Sequence, residues 1–416
     1  MKIAIIGSGI SGLTCAYLLQ PHADITVFEA DARPGGHTAT VDVELQGQHY
    51  AIDTGFIVFN DRTYPNFLRL MQQLGVSSKP TEMSFSVSCE LSGLEYNGTD
   101  LGGLFAQRRN LLRPAFWGLL RDILRFNRQA EEDLKRGTIE PGTTLGDYLQ
   151  RLGLGDWLRD KYLVPMGSAI WSASVDSMLA MPLQFFVRFF HNHGLLTVND
   201  RPQWRVIEGG SRSYLEPLTR AFADRIHCNT PIRSIARTAD GVQLQMPDGS
   251  SQQFDQVVLA CHSDQALAML ADPSEAELQV LGAMPYQDNE VILHTDASML
   301  PARQRAWASW NYRIREDNQQ QAVLTYNMNI LQGLEAPETF CVTLNDTARI
   351  DPQKILGRYH YSHPVFNRES LQAVSRWDEV NGVQRTWFCG AYWANGFHED
   401  GCSSGVRVAQ ALGATW

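Results

Sequence analysis

The apolar residues at the start of this chain fall in short runs that predict buried strands. Residues 2–6 (KIAII) form the first run and residues 25–28 (ITVF) the second, with a helical pattern over 13–20 between them. Continuous apolar runs of about four to eight residues, bounded by turn residues, are typical of strands covered on both faces. The order strand, helix, strand therefore predicts a parallel α/β unit.

The same pattern returns far along the chain, in residues 256–260 (QVVLA) and 386–391 (TWFCGA). A final helix is predicted over about 401–412. Because distant parts of a chain can supply strands to one sheet, we predict a single α/β domain that is assembled from three segments. These segments are residues 1–80, 201–270 and 381–416.

Two segments with other patterns of hydrophobic residues interrupt the sequence of this domain. The first interruption has a helical pattern, with Pro114 and Thr144 at positions that favour helix starts. The second contains residues 285–345, which alternate as in an antiparallel sheet. Since 416 residues exceed the usual size of one domain, we predict an interleaved α+β domain, helical plus antiparallel sheet, from residues 81–200 and 271–380.

Composition narrows the classes of function and location. With a formal net charge of -10, the chain is not expected to bind nucleic acids. Its seven cysteines are scattered without a CxxC pair, as is typical of reduced thiols in a cytoplasmic protein. No run approaches the roughly 20 apolar residues of a membrane span. We therefore expect a cytoplasmic protein that is soluble or peripheral at the inner membrane face.

The turn after the first predicted strand, GSGISG at residues 7–12, has the spacing of a dinucleotide-binding loop. Gly7 allows the tight turn, Gly9 lets backbone N–H groups approach a pyrophosphate, and Gly12 permits close packing of helix and strand. Glu29 follows Gly7 by 22 residues, where a carboxylate can accept hydrogen bonds from a ribose diol. GxGxxG alone is a weak signal, but its position between a predicted strand and a predicted helix, with Glu29 at the end of the second strand, predicts a nucleotide site.

Nearly the whole chain resembles the flavin-dependent amine oxidase superfamily, which includes monoamine oxidases, protoporphyrinogen oxidase and phytoene desaturases. The matching segments are GSGISG with Glu29, RPGG at 33–36, DTG at 53–55, WRVIEGG at 204–210, TPI at 230–232, DQVVLA at 255–260, FCGA at 388–391 and EDGCSSG at 399–405. The resemblance implies a Rossmann-like domain that binds FAD non-covalently, and an interleaved substrate-binding domain.

The resemblance also implies roles for individual residues. The early glycines hold the FAD diphosphate, Glu29 holds the adenosine ribose, and the backbone of Ile232 brackets the adenine. The Gly390-Ala391 turn meets the pyrophosphate and the ribityl chain, and the last helix directs its N-terminus towards the flavin. The predicted cofactor-binding residues are Gly7, Gly9, Ile10, Ser11, Gly12, Glu29, Ala30, Arg33, Gly36, His37, Asp53, Thr54, Gly55, Phe56, Ile232, Ala260, Gly390, Ala391, Gly401, Cys402 and Gly405.

Two features depart from the family pattern. His37 stands where the family often has arginine, and no cysteine lies in the setting where some amine oxidases attach the flavin covalently. Cys389 and Cys402 lie near the expected site, and packing of small buried side chains is the alternative role for them. Because the sequence holds one dinucleotide fingerprint, oxygen or a quinone is expected as the electron acceptor.

Within the superfamily, the chain looks most like a bacterial subgroup of FAD/NAD-binding oxidoreductases associated with cyclopropane-fatty-acid-synthase-like methyltransferases. The matching segments are DTGFIVFN at 53–60, FFVRFFHNHGLL at 185–196, WNY at 310–312, TYNMN at 325–329 and HEDG at 398–401. This resemblance implies a fatty-acyl or lipid substrate, such as a methylated acyl chain that is desaturated. The four phenylalanines within 185–190 either line an acyl tunnel or pack in the core.

Residues 101–130 contain six arginines and one acidic residue, so this segment carries +5 in a chain of -10. Apolar residues alternate with the arginines at helical spacing. Two interpretations are open. The segment is either a basic amphipathic helix that contacts an anionic membrane surface or a packed helix with a solvated arginine edge.

Catalysis requires no protein nucleophile, because flavin accepts a hydride from a carbon held beside it. Removal of an allylic hydrogen would also need a base. His398, His193 and His363 are the candidates, and a structural role is the alternative for each. The His360-x-x-His363 spacing lacks accompanying carboxylate or cysteine ligands, so no metal site is predicted.

Two other functions are compatible with the sequence. An amine oxidase would use an aromatic cage and a lysine beside the flavin, but none of the five lysines lies in a motif that can be placed there. A non-catalytic lipid- or prenyl-binding protein of the same fold is the second alternative. The motifs predicted to face FAD at both ends of the chain argue against it.

Overall fold

The computed structural model describes residues 1–197, 201–316 and 321–416. In chain order, the strands of these residues are β1 Lys2–Ile6, β2 Asp24–Phe28, β3 Thr40–Leu45, β4 Gln48–Asp53, β5 Val58–Asn60, β6 Ser78–Pro80, β7 Phe85–Cys89, β8 Leu94–Asn97, β9 Trp204–Ile207, β10 Ile226–His227, β11 Ser234–Arg237, β12 Val242–Gln245, β13 Ser251–Phe254, β14 Gln256–Leu259, β15 Tyr286–His294, β16 Trp310–Ile314, β17 Leu324–Asn327, β18 Cys341–Leu344, β19 Ile355–Pro364 and β20 Thr386–Phe388.

The α-helices of the same residues are α1 Ile10–Leu19, α2 Pro65–Leu74, α3 Leu101–Leu104, α4 Pro114–Arg136, α5 Leu145–Leu152, α6 Asp156–Leu158, α7 Val164–Trp171, α8 Val175–Ala180, α9 Leu183–Asn192, α10 Leu215–Thr219, α11 Ser263–Met269, α12 Glu275–Leu281, α13 Met328–Leu331, α14 Arg368–Val374, α15 Trp377–Val380 and α16 His398–Ala411. No helix in this part of the chain is both long enough and apolar enough to cross a bilayer.

A five-stranded parallel sheet, in the order β10-β2-β1-β14-β20, forms the centre of one domain. Ile3 and Val257 of its inner strands are fully buried. The small antiparallel sheet β11-β12-β13 packs against it, with Phe254 edge-on to Phe28 at a centroid distance of 5.9 Å. Strands covered on both faces explain the continuous apolar runs, and the predicted α/β fold is confirmed.

The first and last helices begin earlier than the sequence pattern predicts. Helix α1 starts at Ile10 rather than at residue 13, because Gly9 is extended (φ -67°, ψ 178°) and serves as its N-cap. Helix α16 starts at His398 rather than at Gly401, because the Asp400 carboxylate accepts a hydrogen bond from the Phe397 N–H at 2.8 Å and closes the first turn. Both helices therefore begin within a sequence motif, α1 within GSGISG at 7–12 and α16 within HEDG at 398–401.

A seven-stranded sheet, in the order β19-β15-β18-β17-β16-β7-β8, forms the other domain. Its pairs are antiparallel except β16 with β7, which confirms the antiparallel prediction for residues 285–345. The helices between α4 and α9 pack on its β7–β8 end around Phe116 and Phe126. Pro114 is the first residue of α4, and Thr144 caps α5 through Asp147, as predicted.

Candidate active site

A cavity of about 1000 Å³ extends from the carboxyl ends of the parallel strands to the seven-stranded sheet. Ligands of open α/β sheets bind at such strand ends. The predicted cofactor-binding residues that line the cavity are Gly7, Gly9, Ile10, Ser11, Glu29, Ala30, Arg33, Gly36, His37, Thr54, Gly55, Phe56, Ile232, Ala260, Gly390 and Ala391. The structure therefore brings most of the predicted set, taken from three chain segments, to one continuous space.

The glycine turn after β1 presents an open cradle at the N-terminus of α1. Gly7 has a φ of +101°, and its N–H donates to the Phe28 carbonyl at 2.8 Å, so β1 turns away beside β2. A Cβ placed on Gly9 would meet no atom of residues 1–197, 201–316 and 321–416 within 4 Å, whereas one on Gly12 would lie 2.0 Å from the Gly7 carbonyl oxygen. Gly9 therefore leaves room for a phosphate at a helix N-terminus, and Gly12 serves packing.

Glu29 lies at the end of β2 with most of its carboxylate engaged by the protein. Its Oε2 accepts hydrogen bonds from the Ser8 N–H at 2.9 Å and from the Ser8 hydroxyl, and its Oε1 accepts from the Asp31 N–H at 3.0 Å. A carboxylate has about four acceptor positions. One position on Oε1 remains for a ribose hydroxyl.

The loop that carries Gly36 and His37 is held against the glycine turn. The Arg33 guanidinium donates to the carbonyls of Gly36 and Thr38 at 2.9 and 3.0 Å, and the Phe56 N–H donates to the His37 carbonyl at 2.7 Å. The His37 Nε2 is buried and has no hydrogen-bond partner among the described residues. Burial lowers the pKa of His37 to about 3, so the ring is neutral and available to a polar group in the cavity.

Five predicted cofactor-binding residues do not line the cavity. Gly12, Gly401, Cys402 and Gly405 lie where helices and strands pack closely, and a Cβ on Gly405 would lie 2.3 Å from the Ser11 carbonyl oxygen. The buried Asp53 carboxylate instead accepts hydrogen bonds from the backbone and hydroxyl of Ser211, at 2.8 and 2.9 Å. These residues position the cavity walls.

The C-terminal segment closes the cavity. Gly390 and Ala391 follow β20, and His398 begins α16 with its ring stacked on Phe56 at 3.6 Å. The His398 Nε2 pairs with the Tyr214 hydroxyl at 2.8 Å. Burial, with a smaller contribution from His37, holds the pKa of His398 well below its usual value.

The other two candidate bases also lie along the cavity, but in different hydrogen-bonding states. The His193 Nδ1 donates to the Phe189 carbonyl at 2.9 Å, and its Nε2 meets the Thr63 hydroxyl at 3.2 Å, so both nitrogens have protein partners. The His363 Nδ1 accepts from the Asn289 amide at 3.0 Å, which places the proton of the neutral ring on Nε2. His363 is therefore a hydrogen-bond donor towards the cavity.

A cluster of three imidazoles was not predicted as a unit. His37 lies 5.6 Å from His363 and 6.3 Å from His262 between ring centroids, and Tyr361 lies 5.0 Å from His37. His262 also stacks on Tyr286 at 4.4 Å. The signal that the sequence offered was the position of His262, three residues after the end of β14 and so at the same sheet edge as the glycine turn.

The half of the cavity beside the seven-stranded sheet, here the chamber, is mostly apolar. Its walls include Phe85, Met166, Ile170, Trp171, Phe189, Trp310, Tyr326, Leu344, Phe366 and Phe397. Among the described lining residues of the whole cavity the carboxylates are Glu29 and Asp31, both at the glycine-turn end, and there is no lysine. Of the four phenylalanines within 185–190, Phe189 lines the chamber, whereas Phe186 and Phe190 are fully buried in the core.

Comparisons with known proteins agree with this arrangement. A family model described as "Flavin containing amine oxidoreductase" matches residues 10–329. The chain belongs to this family.

Known relatives of this flavin-containing amine oxidoreductase act on different substrates. Coproporphyrinogen III oxidase of Staphylococcus aureus is 26% identical over 197 residues, which cover 43% of the chain and only 38% of that relative. Cyclohexylamine oxidase from Brevibacterium oxydans (TM-score 0.71, 16% identity) and a fatty acid isomerase from P. acnes that produces CLA (TM-score 0.68, 15% identity) each match 99% of this chain and 98% of their own. These structural similarities show that the chain has the same fold as these proteins.

FAD is the cofactor of this oxidoreductase, and the cavity fits it. The open cradle at Gly9 suits a pyrophosphate, the free acceptor on Glu29 suits a ribose, and the unpartnered His37 Nε2 suits a further polar group. Non-covalent binding is typical of the family. Cys261 is the cysteine among the described lining residues, and burial raises the pKa of its thiol to about 12, which keeps it a poor nucleophile.

We expect the flavin-free oxidoreductase to lose stability as the pH falls from 6.5 to 4. Burial lowers the pKa of His37 to about 3 and those of His193 and His363 to about 4. The unfolded state, with histidine pKa values near ~6.5, therefore binds more protons in this window, which favours unfolding. Burial raises the pKa of Asp53 and Asp400 to about 6, so these two carboxyl groups bind more protons in the folded state than in the unfolded state. They stabilise the folded protein as the pH falls, but they are fewer than the buried histidines.

The measurement is the thermal unfolding midpoint of the flavin-free protein between pH 7.5 and 4.5. The midpoint should fall steadily below pH 6.5. A midpoint that is constant or rises over this range would show that the buried histidines do not dominate the linkage.

Proposed function

We propose that this FAD-dependent oxidoreductase removes hydride from a hydrophobic substrate of the fatty-acyl or lipid class. The observation that carries the proposal is the composition of the chamber, whose described walls are mostly apolar and aromatic and contain neither a carboxylate nor a lysine. Burying an ionised group without a partner is costly, whereas burying an alkyl chain is favourable. The chamber is therefore better suited to an acyl chain than to a charged substrate.

The chemistry requires that two hydrogens leave the substrate. When bound, FAD accepts one of them as a hydride, together with the electron pair of the C–H bond. The other leaves as a proton to one of the neutral imidazoles that line the cavity, and a carbon–carbon double bond forms. Dioxygen or a quinone takes the two electrons at the end of the cycle, in line with the single dinucleotide fingerprint. Donation from the His363 Nε2 can orient a polar group of the substrate.

An amine is the second candidate substrate. Trp310 and Tyr326 meet edge to face at 5.0 Å in the chamber wall, and aromatic faces attract cations. A cyclohexylamine oxidase shares the fold. Against this candidate stands the lack of an acidic side chain among the described chamber residues.

Anaerobic mixing of the yellow holoprotein with substrates distinguishes the two classes. We expect unsaturated or methylated phospholipids, or their fatty acids, to bleach the flavin absorbance, and simple amines such as benzylamine and putrescine to leave it unchanged. Bleaching by amines alone would replace the proposed function with amine oxidation. Bleaching by neither class would contradict both.

A chamber variant tests whether the acyl chain lies where we propose. Ile170→Trp adds volume to the chamber wall and should lower kcat/KM for long acyl chains at least tenfold, mainly through KM, without loss of flavin. Leu356→Trp makes the same enlargement at an exposed position outside the cavity and should behave like the wild type. Equal activity of the two variants would place the substrate elsewhere.

A further inference from the structure

Exposed apolar side chains are concentrated in one region of this protein. Six of the ten exposed large hydrophobic residues in the described chain lie between residues 91 and 124. Leu112 is 88% exposed, Leu101 74%, Leu124 61% and Trp117 50%. Isolated exposed apolar residues are ordinary, but a cluster of this kind marks a surface that is covered by something.

Helix α4 contributes to this region with one face and to the core with another. Trp117, Arg121, Leu124, Arg125 and Arg128 are exposed and follow the spacing i, i+4, i+7, i+8 and i+11, which places them on one side of a helix. The opposite side is buried, as the packing in the core of the seven-stranded-sheet domain shows. The structure thus shows a packed helix with an exposed arginine edge, and contact with a membrane stays a prediction.

The segment before α4 lies beside this exposed face. The Phe105 ring contacts those of Phe116 and Trp117 at 5.8 and 5.6 Å. The exposed leucines of the segment therefore adjoin the helix. We call the combined surface the arginine–leucine face, which consists of Leu101, Arg108, Leu111, Leu112, Trp117, Arg121, Leu124, Arg125 and Arg128.

The charge of this face is opposite to that of the whole protein. The chain carries -10, yet residues 101–130 carry +5. Arg121 pairs with Asp122 at 3.2 Å, whereas the side chains of Arg108, Arg125 and Arg128 form no hydrogen bond or ion pair with any described residue. Three unpaired cations beside exposed leucine and tryptophan need a partner that supplies both negative charge and an apolar layer.

We propose that the arginine–leucine face docks this protein on a bilayer that contains anionic lipids. Arginines reach the phosphate groups while leucine and tryptophan enter the interface, as in helices that lie in the membrane plane. An acidic protein would need an apolar patch among its carboxylates to match both the arginines and Leu112, whereas a bilayer with anionic lipids supplies both layers over its whole surface. This proposal does not depend on the substrate of the oxidoreductase.

The cavity opens close to the same face. Gly98 and Thr99 are exposed and also line the cavity, and they precede Leu101 of the arginine–leucine face by three and two residues. Docking through this face would bring a mouth of the cavity to the lipid surface. A lipid substrate could then enter the chamber without crossing water.

The test is co-sedimentation of the holoprotein with vesicles of phosphatidylcholine, with or without phosphatidylglycerol. The wild type should bind the anionic vesicles and bind the neutral ones at least tenfold more weakly, with binding that weakens as salt is added. The variant Arg108→Gln/Arg125→Gln/Arg128→Gln should bind the anionic vesicles at least tenfold more weakly than the wild type. Leu112→Ser/Trp117→Ser should also weaken binding, at unchanged charge.

The matched control is Arg220→Gln/Arg358→Gln/Arg368→Gln, which removes three exposed arginines outside the face and changes the net charge equally. It should bind like the wild type, and all variants should keep their flavin. The proposal is overturned if the wild type ignores anionic vesicles or if the two triple variants bind equally. Self-association through this face in place of vesicle binding, seen by sedimentation velocity, would also overturn it.

Discussion

Gly9→Val is expected to remove FAD from the protein while leaving the fold intact. The backbone of Gly9 is extended, a conformation open to valine, and an added Cβ would meet no atom within 4 Å in the part of the chain that the structure describes. The new side chain would instead fill the space proposed for the pyrophosphate. We expect the dissociation constant for FAD to rise about 100-fold, which corresponds to about 2.7 kcal/mol.

Fluorescence titration with FAD measures this loss, and thermal unfolding of the flavin-free variant measures stability. Gly118→Val is the matched control, because Gly118 also has open space around its Cβ position but lies on α4, away from the cavity. The control should bind FAD normally. Normal flavin content in Gly9→Val would show that the cofactor phosphates lie elsewhere.

Gly405→Val is expected to destabilise the protein by about 3 kcal/mol, since overfilling a packed core typically costs about 1–3 kcal/mol and a clash with backbone falls at the upper end. A Cβ on Gly405 would lie 2.3 Å from the Ser11 carbonyl oxygen and 3.2 Å from the Cys15 nitrogen. Because neither backbone atom can move without its helix, α1 and α16 must separate. Both helices start beside the cavity, so FAD binding should weaken as well.

Urea unfolding followed by circular dichroism gives the stability, and the temperature of flavin release gives the effect on the cofactor. Gln410→Val places the same residue on the exposed side of α16 and should change stability by less than about 0.5 kcal/mol. If both variants unfold at the same urea concentration, the close approach of α1 and α16 does not contribute to stability.

The nucleotide end of the site could be predicted from the sequence because its signals are local. The glycine turn, Glu29 and the Gly390-Ala391 turn each follow directly on a buried strand, and strand ends of one parallel sheet meet at one edge. The same reasoning did not distinguish the residues that line the cavity from those that allow helices and strands to pack closely. Gly12 and Gly405 share motifs with lining residues, yet their Cβ positions face backbone atoms of neighbouring elements.

The chamber could not be predicted in the same way. Phe186, Phe189 and Phe190 lie within one helical turn of α9, and only the direction in which α9 packs decides that Phe189 faces the cavity. The imidazole cluster is a stronger case, because His37, His262 and His363 come from three distant parts of the chain. No pattern in the local sequence predicts that these three side chains lie close together.

By itself, the sequence determined the nucleotide site after β1, the α/β pattern and the basic amphipathic character of residues 101–130, because each depends on residues that are neighbours along the chain. FAD as the particular nucleotide followed from the resemblance of nearly the whole chain to one family. The tertiary structure decided which side chains enclose the apolar chamber, which histidines meet and which face of α4 remains exposed. The physical reason is that packing between separate layers sets these contacts, and the burial that results fixes the charge state of groups such as His37.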